Sequence, residues 1–210
     1  ISWFEQSSSS YNDFYGARFV SSTIGWAVGD FGTIVKTSDG GATWTPQSSG
    51  TKNTLNAVSF PSASTGFAVG EEGTIIRSTD GGLSWTQIPS GVFQSLYGCS
   101  FINATTGFAV GDSAVILKST NGGLTWNNQN SRSEETLYSI HFITATNGFA
   151  VGDFGTILAT TNGGTTWLPR TTNTFTTFLR IKFATPSIGW AVGYGGAIFK
   201  STDGGVTWDQ

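Results

Sequence analysis

A chain of 210 residues with 38% apolar content is long enough to bury roughly 70% of the surface its unfolded form exposes, as a soluble globular protein does. A formal charge of -3 and a pI near 5.0 exclude a protein devoted to nucleic-acid backbone, and no apolar run approaches the ~20 residues of a membrane-spanning helix. Only 11% of residues are charged, so Ser, Thr, Asn and Gly carry the solubility, a composition that points to an exported protein (extracellular, periplasmic or luminal). The chain opens on Ile1 and contains no Met, which suggests a processed form or an excised piece from which any signal peptide has gone. Cys99 is the single cysteine and cannot form an internal disulfide.

The first segment, residues 1–6, carries Trp3, and from there a 41-residue period runs to the end. The string G-[WF]-A-V-G begins at Gly25, Gly66, Gly107, Gly148 and Gly189; a second string, [ST]-[ST]-[DN]-G-G-x-[ST]-W, ends at Trp44, Trp85, Trp126, Trp167 and Trp208. Phe19, Phe60, Phe101, Phe142 and Phe183 hold the same phase, without insertion or deletion. The second unit shows the predicted elements: strands over residues 55–60, 66–70, 73–78 and 85–88, joined by short Gly-, Ser- and Asn-rich turns. No segment has a helical period of apolar residues. Four antiparallel strands every ~40 residues make the blade of a β-propeller. The predicted fold is therefore all-β, a single domain over residues 1–210 with five blades. A blade cannot cover its own apolar faces, so neighbours stack, and ring closure removes bare edges. Residues 1–6 correspond to a blade's outer strand and are expected to complete the last blade, giving a closed monomeric ring. Because Trp3 and Trp208 occupy one repeat position, part of a larger propeller is the alternative.

The string TSDGGATW at residues 37–44 and its four relatives resemble the Asp-box of sialidases and related propellers. Physically it is a tight hairpin: Asp39, Asp80, Asn121, Asn162 and Asp203 can accept backbone N–H groups, and the paired glycines allow positive φ. A metal ring is the competing reading, but two of the five positions are Asn and no second carboxylate recurs at calcium-loop spacing. The resemblance implies that these hairpins lie at the periphery, away from any active site.

Columns that vary between repeats mark candidate binding positions. In the inner strand one column reads Tyr15, Asn56, Tyr97, Tyr138, Leu179, and another reads Arg18, Ser59, Ser100, His141, Lys182. The turn after the second strand reads Asp30, Glu71, Asp112, Asp153, Tyr194, followed by Phe31, Glu72, Ser113, Phe154, Gly195. The loop entering the inner strand reads Tyr11, Lys52, Phe93, Glu134, Phe175. This turn and loop are expected to share one face around the axial channel, with Arg18, His141 and Lys182 lining the channel. Aromatic and acidic groups on such a rim suit a peptide or a sugar. The competing reading is a solvated rim with ordinary surface variation. Cys99 replaces Ala17, Val58, Ile140 and Ile181 and is expected in the core.

Little suggests catalysis. The Gly-x-Gly strings are turns rather than phosphate loops, and no nucleophile elbow is present. His141 is the single histidine, so no repeated His site exists. A sialidase-type centre needs clustered arginines and a Tyr/Glu pair, and the arginines are scattered. No catalytic residue, metal site or cofactor is therefore expected. The whole unit, L-x-x-V-x-F followed by G-F-A-V-G-x-x-G-T-I-x-[KR]-[ST]-[ST]-[DN]-G-G-x-[ST]-W, resembles the repeat of the photosystem II stability/assembly factor family over essentially all 210 residues. The resemblance implies a luminal or exported propeller that holds protein partners rather than catalysing. That family has seven blades and an arginine-rich patch; here there are five units, and Arg18, Arg77, Arg132, Arg170 and Arg180 fall at different repeat positions. The expected function is a binding scaffold presenting one rim to a protein or peptide, the alternatives being a glycan-binding lectin and an Asp-box glycosidase.

Overall fold

The computed structural model describes residues 5–210. Its strands fall into five antiparallel sheets, each built from strands consecutive in sequence. Blade one is β1 (Phe14–Phe19), β2 (Gly25–Gly29), β3 (Ile34–Thr37) and β4 (Thr45–Gln47); blade two is β5 (Leu55–Ser59), β6 (Gly66–Gly70), β7 (Ile75–Ser78) and β8 (Thr86–Gln87). Blade three is β9 (Leu96–Phe101), β10 (Gly107–Gly111), β11 (Ile116–Ser119) and β12 (Asn127–Gln129). Blade four is β13 (Leu137–Phe142), β14 (Gly148–Gly152), β15 (Ile157–Thr160) and β16 (Leu168–Arg170). Blade five has three strands, β17 (Phe178–Phe183), β18 (Gly189–Gly193) and β19 (Ile198–Ser201). The third strands begin two residues later than expected in blade two, because Glu71–Gly73 forms a single-turn 3-10 helix that recurs in every blade.

The Asp-box hairpins have the expected chemistry. Asp39 accepts from the Thr43 N–H at 2.9 Å, the Thr43 hydroxyl at 2.6 Å and the Thr37 hydroxyl at 2.8 Å. These bonds hold its carboxyl down at about 2. In the Asn version the polarity of one bond reverses: Asn121 Nδ2 donates to Thr125 Oγ1 at 2.8 Å, while Oδ1 still accepts from the Thr125 N–H. Amide and carboxylate build the same turn, which removes any need for a metal.

Blades are joined by a repeated aromatic lock. In blades one to four the ring of the G-[WF]-A-V-G string stacks on the inner-strand Phe of the following blade: Trp26 on Phe60 at 3.5 Å, Phe67 on Phe101 at 3.9 Å, Phe108 on Phe142 at 4.4 Å and Phe149 on Phe183 at 5.0 Å. That Phe in turn meets the Asp-box Trp of its own blade edge-on, as Phe60 does Trp85. The second box glycine must be glycine twice over. Gly82 has φ +80, and a Cβ there would overlap the Trp26 indole; Gly123, Gly164 and Gly205 stand in the same relation to Phe67, Phe108 and Phe149. Each buried hydrophobic cluster spans one pair of successive blades, making four clusters for four joints among the described residues.

The expected closure of the ring is not seen among the described residues. Residues 1–4, and with them Trp3, lie outside that range, while Glu5 and Gln6 are exposed and in no strand. The first rung of a fourth strand on blade five is instead supplied by Asp209, which bridges Lys200 through backbone bonds of 2.7 and 3.0 Å. Successive inner strands pack from β1 through β17, but β17 has no comparable packing on β1. The flanking faces are correspondingly bare: Trp190 is 36% and Ile198 57% exposed, whereas their counterparts in blades one to four are 0–4% exposed. The physical reason is that closure requires the first and last faces to meet, and a fixed turn per blade brings them together only at the right blade count.

Candidate functional site on the axial channel

A β-bulge positions the key side chains. In β1 the pairing runs Phe14 to Gly29 and then Gly16 to Val28, leaving Tyr15 as the extra residue. The same skip leaves out Asn56, Tyr97, Tyr138 and Leu179 in the other blades. A bulge re-aims the side chain it carries, here toward the channel, where Tyr15, Asn56, Tyr97 and Tyr138 line a cavity of about 210 Å³. Each tyrosine hydroxyl donates to an aspartate of its own blade: Tyr15 to Asp30, Tyr97 to Asp112 and Tyr138 to Asp153, all at 3.3 Å. Burial and then Asp153 push the Tyr138 hydroxyl up to about 12, and burial and Asp112 raise Tyr97, so both remain donors at neutral pH. The Tyr97 and Tyr138 rings lie 5.3 Å apart and tilted.

The other oxygen of each aspartate faces the next blade. Thr54 donates to Asp30 at 3.4 Å, Thr136 to Asp112 at 3.4 Å and Thr177 to Asp153 at 2.8 Å. These threonines were not among the sequence candidates, although a Thr 24 residues after each of the three Asp is visible in the sequence. A second signal was present too: Asp occupies the turn in the blades that carry Tyr at the bulge, and blades two and five, with Asn56 and Leu179, carry Glu71 and Tyr194 instead.

Backbone bonds fix the rim around this mouth. The turn amides of Asp30, Glu71, Asp112, Asp153 and Tyr194 donate to the carbonyls of Asp13, Thr54, Ser95, Thr136 and Thr177, all at about 3 Å. These bonds tie the turn to the entering loop in every blade. At its edge Phe31 and Phe154 adopt left-handed backbone (φ 53 and 51), which is strained for a bulky residue, and both rings are exposed. Tyr11, Phe93, Phe175 and Tyr194 are exposed on the same rim. Asp13, Glu71, Glu72, Glu134 and Glu135 lie in the same turns and entering loops as the three aspartates, against Lys52 and Arg132, so these segments are acidic as well as aromatic.

The opposite mouth differs. Arg18, His141 and Lys182 line one cavity of about 630 Å³ there, together with Arg180, which sequence reasoning left among the scattered arginines. Burial and Lys182 push His141 down to about 4, so its ring is neutral at physiological pH; burial and Arg18 lower Lys182. The two cavities share Ala17, Val58, Cys99, Ile140 and Arg180, which form a waist. Cys99 was expected in the core; it is half-buried on this waist, and burial pushes its thiol up to about 12. Among the described residues no three His, Cys, Asp or Glu side chains cluster as a metal site, and no helix is long and apolar enough to cross a membrane.

Sequential antiparallel blades around a channel whose rim is built from variable turns define a repeat protein of the β-propeller class. Comparison with known proteins narrows this. The profile of photosynthesis system II assembly factor YCF48 matches residues 2–93, 91–167 and 125–210, and the chain belongs to that family. A structure of YCF48 bound to D1 peptide is 22% identical over 95% of this chain and 80% of that one, with a TM-score of 0.54. YCF48 from Cyanidioschyzon merolae is 20% identical over 94% of this chain and 84% of that one, with a TM-score of 0.66. The GH74 enzyme of Niastella koreensis overlays with a TM-score of 0.78 at 18% identity, covering 94% of this chain but 38% of the enzyme, a likeness of fold. No curated protein matches the sequence significantly.

Proposed function

We propose that this chain is a non-catalytic scaffold that holds a protein partner through an extended peptide segment laid across the tyrosine–carboxylate mouth. The observation that carries the reading is the acidic rim edged by exposed aromatic rings, with three Tyr–Asp pairs held by bulges at its centre. Carboxylates attract Lys or Arg side chains and the rings stack on apolar or cationic ones, so the favoured segment is basic and interspersed with apolar residues. The peptide bound by the related YCF48 structure supports a peptide ligand of some kind. The composition further suits a protein that works outside the cytoplasm.

Fluorescence anisotropy with a panel of labelled peptides of graded charge tests this. Basic, apolar-containing peptides should bind, weaken with added salt, and lose about tenfold in affinity when Phe31 and Phe154 are both replaced by Ser. Uniform failure to bind, alongside retention of simple sugars on a glycan array, would replace the reading with a lectin. Turnover of a fluorogenic glycoside that disappears in Asp30→Ala or Asp153→Ala would replace it with a glycosidase.

A further inference from the structure

The mouth opposite the tyrosines gathers positive charge without a counter-charge. The inner-strand column Arg18, Ser59, Ser100, His141, Lys182 keeps one register in all five blades, paired in turn with Trp26, Phe67, Phe108, Phe149 and Trp190. Its five residues therefore stand at one level of the channel, and all five line the cavity of about 630 Å³. Arg180 joins them from the waist, its Nη1 donating to the Leu179 carbonyl at 2.8 Å. Among the described residues no Asp or Glu lines this cavity. Three of the chain's 10 Lys and Arg residues thus meet in one hollow of a protein whose net charge is -3.

Such a grouping is unfavourable by itself. Burial and then Arg18 lower Lys182, and burial and then Lys182 hold His141 at about 4, so these groups register the cations across the channel and no anion. Packing does not require the cations. Ser59 and Ser100 fill the same column in blades two and three, and the aromatic stacks onto those blades, Trp26 on Phe60 and Phe67 on Phe101, are the two tightest of the four. The serines also leave room: bulk lies on blades one, four and five, and small hydroxyls lie on blades two and three. The cavity has the size of a small-molecule site. Guanidinium groups present their N–H donors in a fork that fits carboxylate or phosphoryl oxygens, and the neutral imidazole and the hydroxyls add further donors.

We propose that this basic mouth binds a small polyanion, a molecule with two or more carboxylate or phosphoryl groups, seated among Arg18, Arg180 and Lys182 with room toward Ser59 and Ser100. Charge decides the class. A single carboxylate leaves two of the three cations unbalanced, whereas a di- or trianion supplies the counter-charge that the chain does not. Size favours a compact ligand over a chain, because the cavity ends at the waist, beyond which only about 210 Å³ is open. The site is separate from the tyrosine–carboxylate mouth and stands whether or not a peptide binds there.

Isothermal titration calorimetry with citrate, pyrophosphate and, as the monovalent control, acetate, all at one ionic strength, reads this directly. Citrate or pyrophosphate should bind at least about tenfold more tightly than acetate, and the two probes separate carboxylate from phosphoryl preference. Arg18→Gln and Lys182→Gln change exposed residues and should each weaken binding about tenfold. Lys200→Gln removes a cation outside the cavity and should leave the affinity within about twofold. His141 is the single histidine, so its imidazole NMR signal reports occupancy in the parent without any variant. That signal should move with the polyanion and stay in place with acetate. Failure of both polyanions to bind at millimolar concentration overturns the proposal. So does binding that leaves the His141 signal in place, or that Lys200→Gln weakens as much as Lys182→Gln does. An acidic peptide that binds where neither small probe does overturns it as well, and gives the mouth to a protein partner.

Discussion

Trp26 and Trp190 occupy one column of the repeat and have opposite environments. Trp26, in blade one, is fully buried between its own sheet and Phe60, Gly81 and Gly82 of blade two. Trp190, in blade five, stands partly in solvent beside Val192 and Ile198. Their local structures are the same, a G-W-A-V-G strand paired on both sides. The difference teaches that in this architecture a side chain's energy belongs to the joint and not to the blade, as expected where each repeat rests on its neighbours.

The largest effects should separate inner joints from end faces. Phe108→Ala removes a fully buried ring stacked on Phe142 and should cost about 3–5 kcal/mol in chemical denaturation. Trp190→Ala in dilute solution should cost under about 1 kcal/mol; equal losses would show that blade five is covered after all. Next come the box glycines. Gly41→Ala and Gly82→Ala both force a Cβ onto positive φ, about 1–3 kcal/mol each. Gly82→Ala should add about 1–3 kcal/mol more, because its Cβ would overlap Trp26 while that of Gly41 meets only Trp44, at an ordinary contact distance. Melting curves of the two variants that superimpose would break the comparison.

The smallest effect belongs to the hairpins, which are alike in end and inner blades. Asp39→Asn should leave the melting temperature unchanged at pH 7, since Asn121 and Asn162 build the same turn. It should matter in acid. The Asp39 carboxyl is held below its ordinary value, to about 2, so its contribution is present above pH ~4 and is lost as pH falls toward 2. The Asn variant should therefore lose less stability than the parent between pH 4 and pH 2.

The blade and the Asp-box hairpin were legible in the sequence because each depends on contacts within one repeat or with the next, and the 41-residue phase displays those contacts five times. The exposure of Phe31 and Phe154, and the common cavity of Arg18, His141 and Lys182, are features that only the coordinates supply. The Thr54, Thr136 and Thr177 bridges were written in the sequence, but as spacings between blades, which strand-by-strand reading passes over. The bulge at Tyr15 and its equivalents was hidden, because one extra residue in a strand leaves the alternation of a short segment almost unchanged.

What the sequence by itself determined was the unit: strand, turn, box, and a ring aimed at whatever comes next. Only the tertiary structure decided how many of those rings find a partner. Phe19 and Trp190 hold the same columns as their buried counterparts, and they are exposed because, among the described residues, no neighbouring blade packs on those faces, a matter of tertiary contact inscribed in no single column.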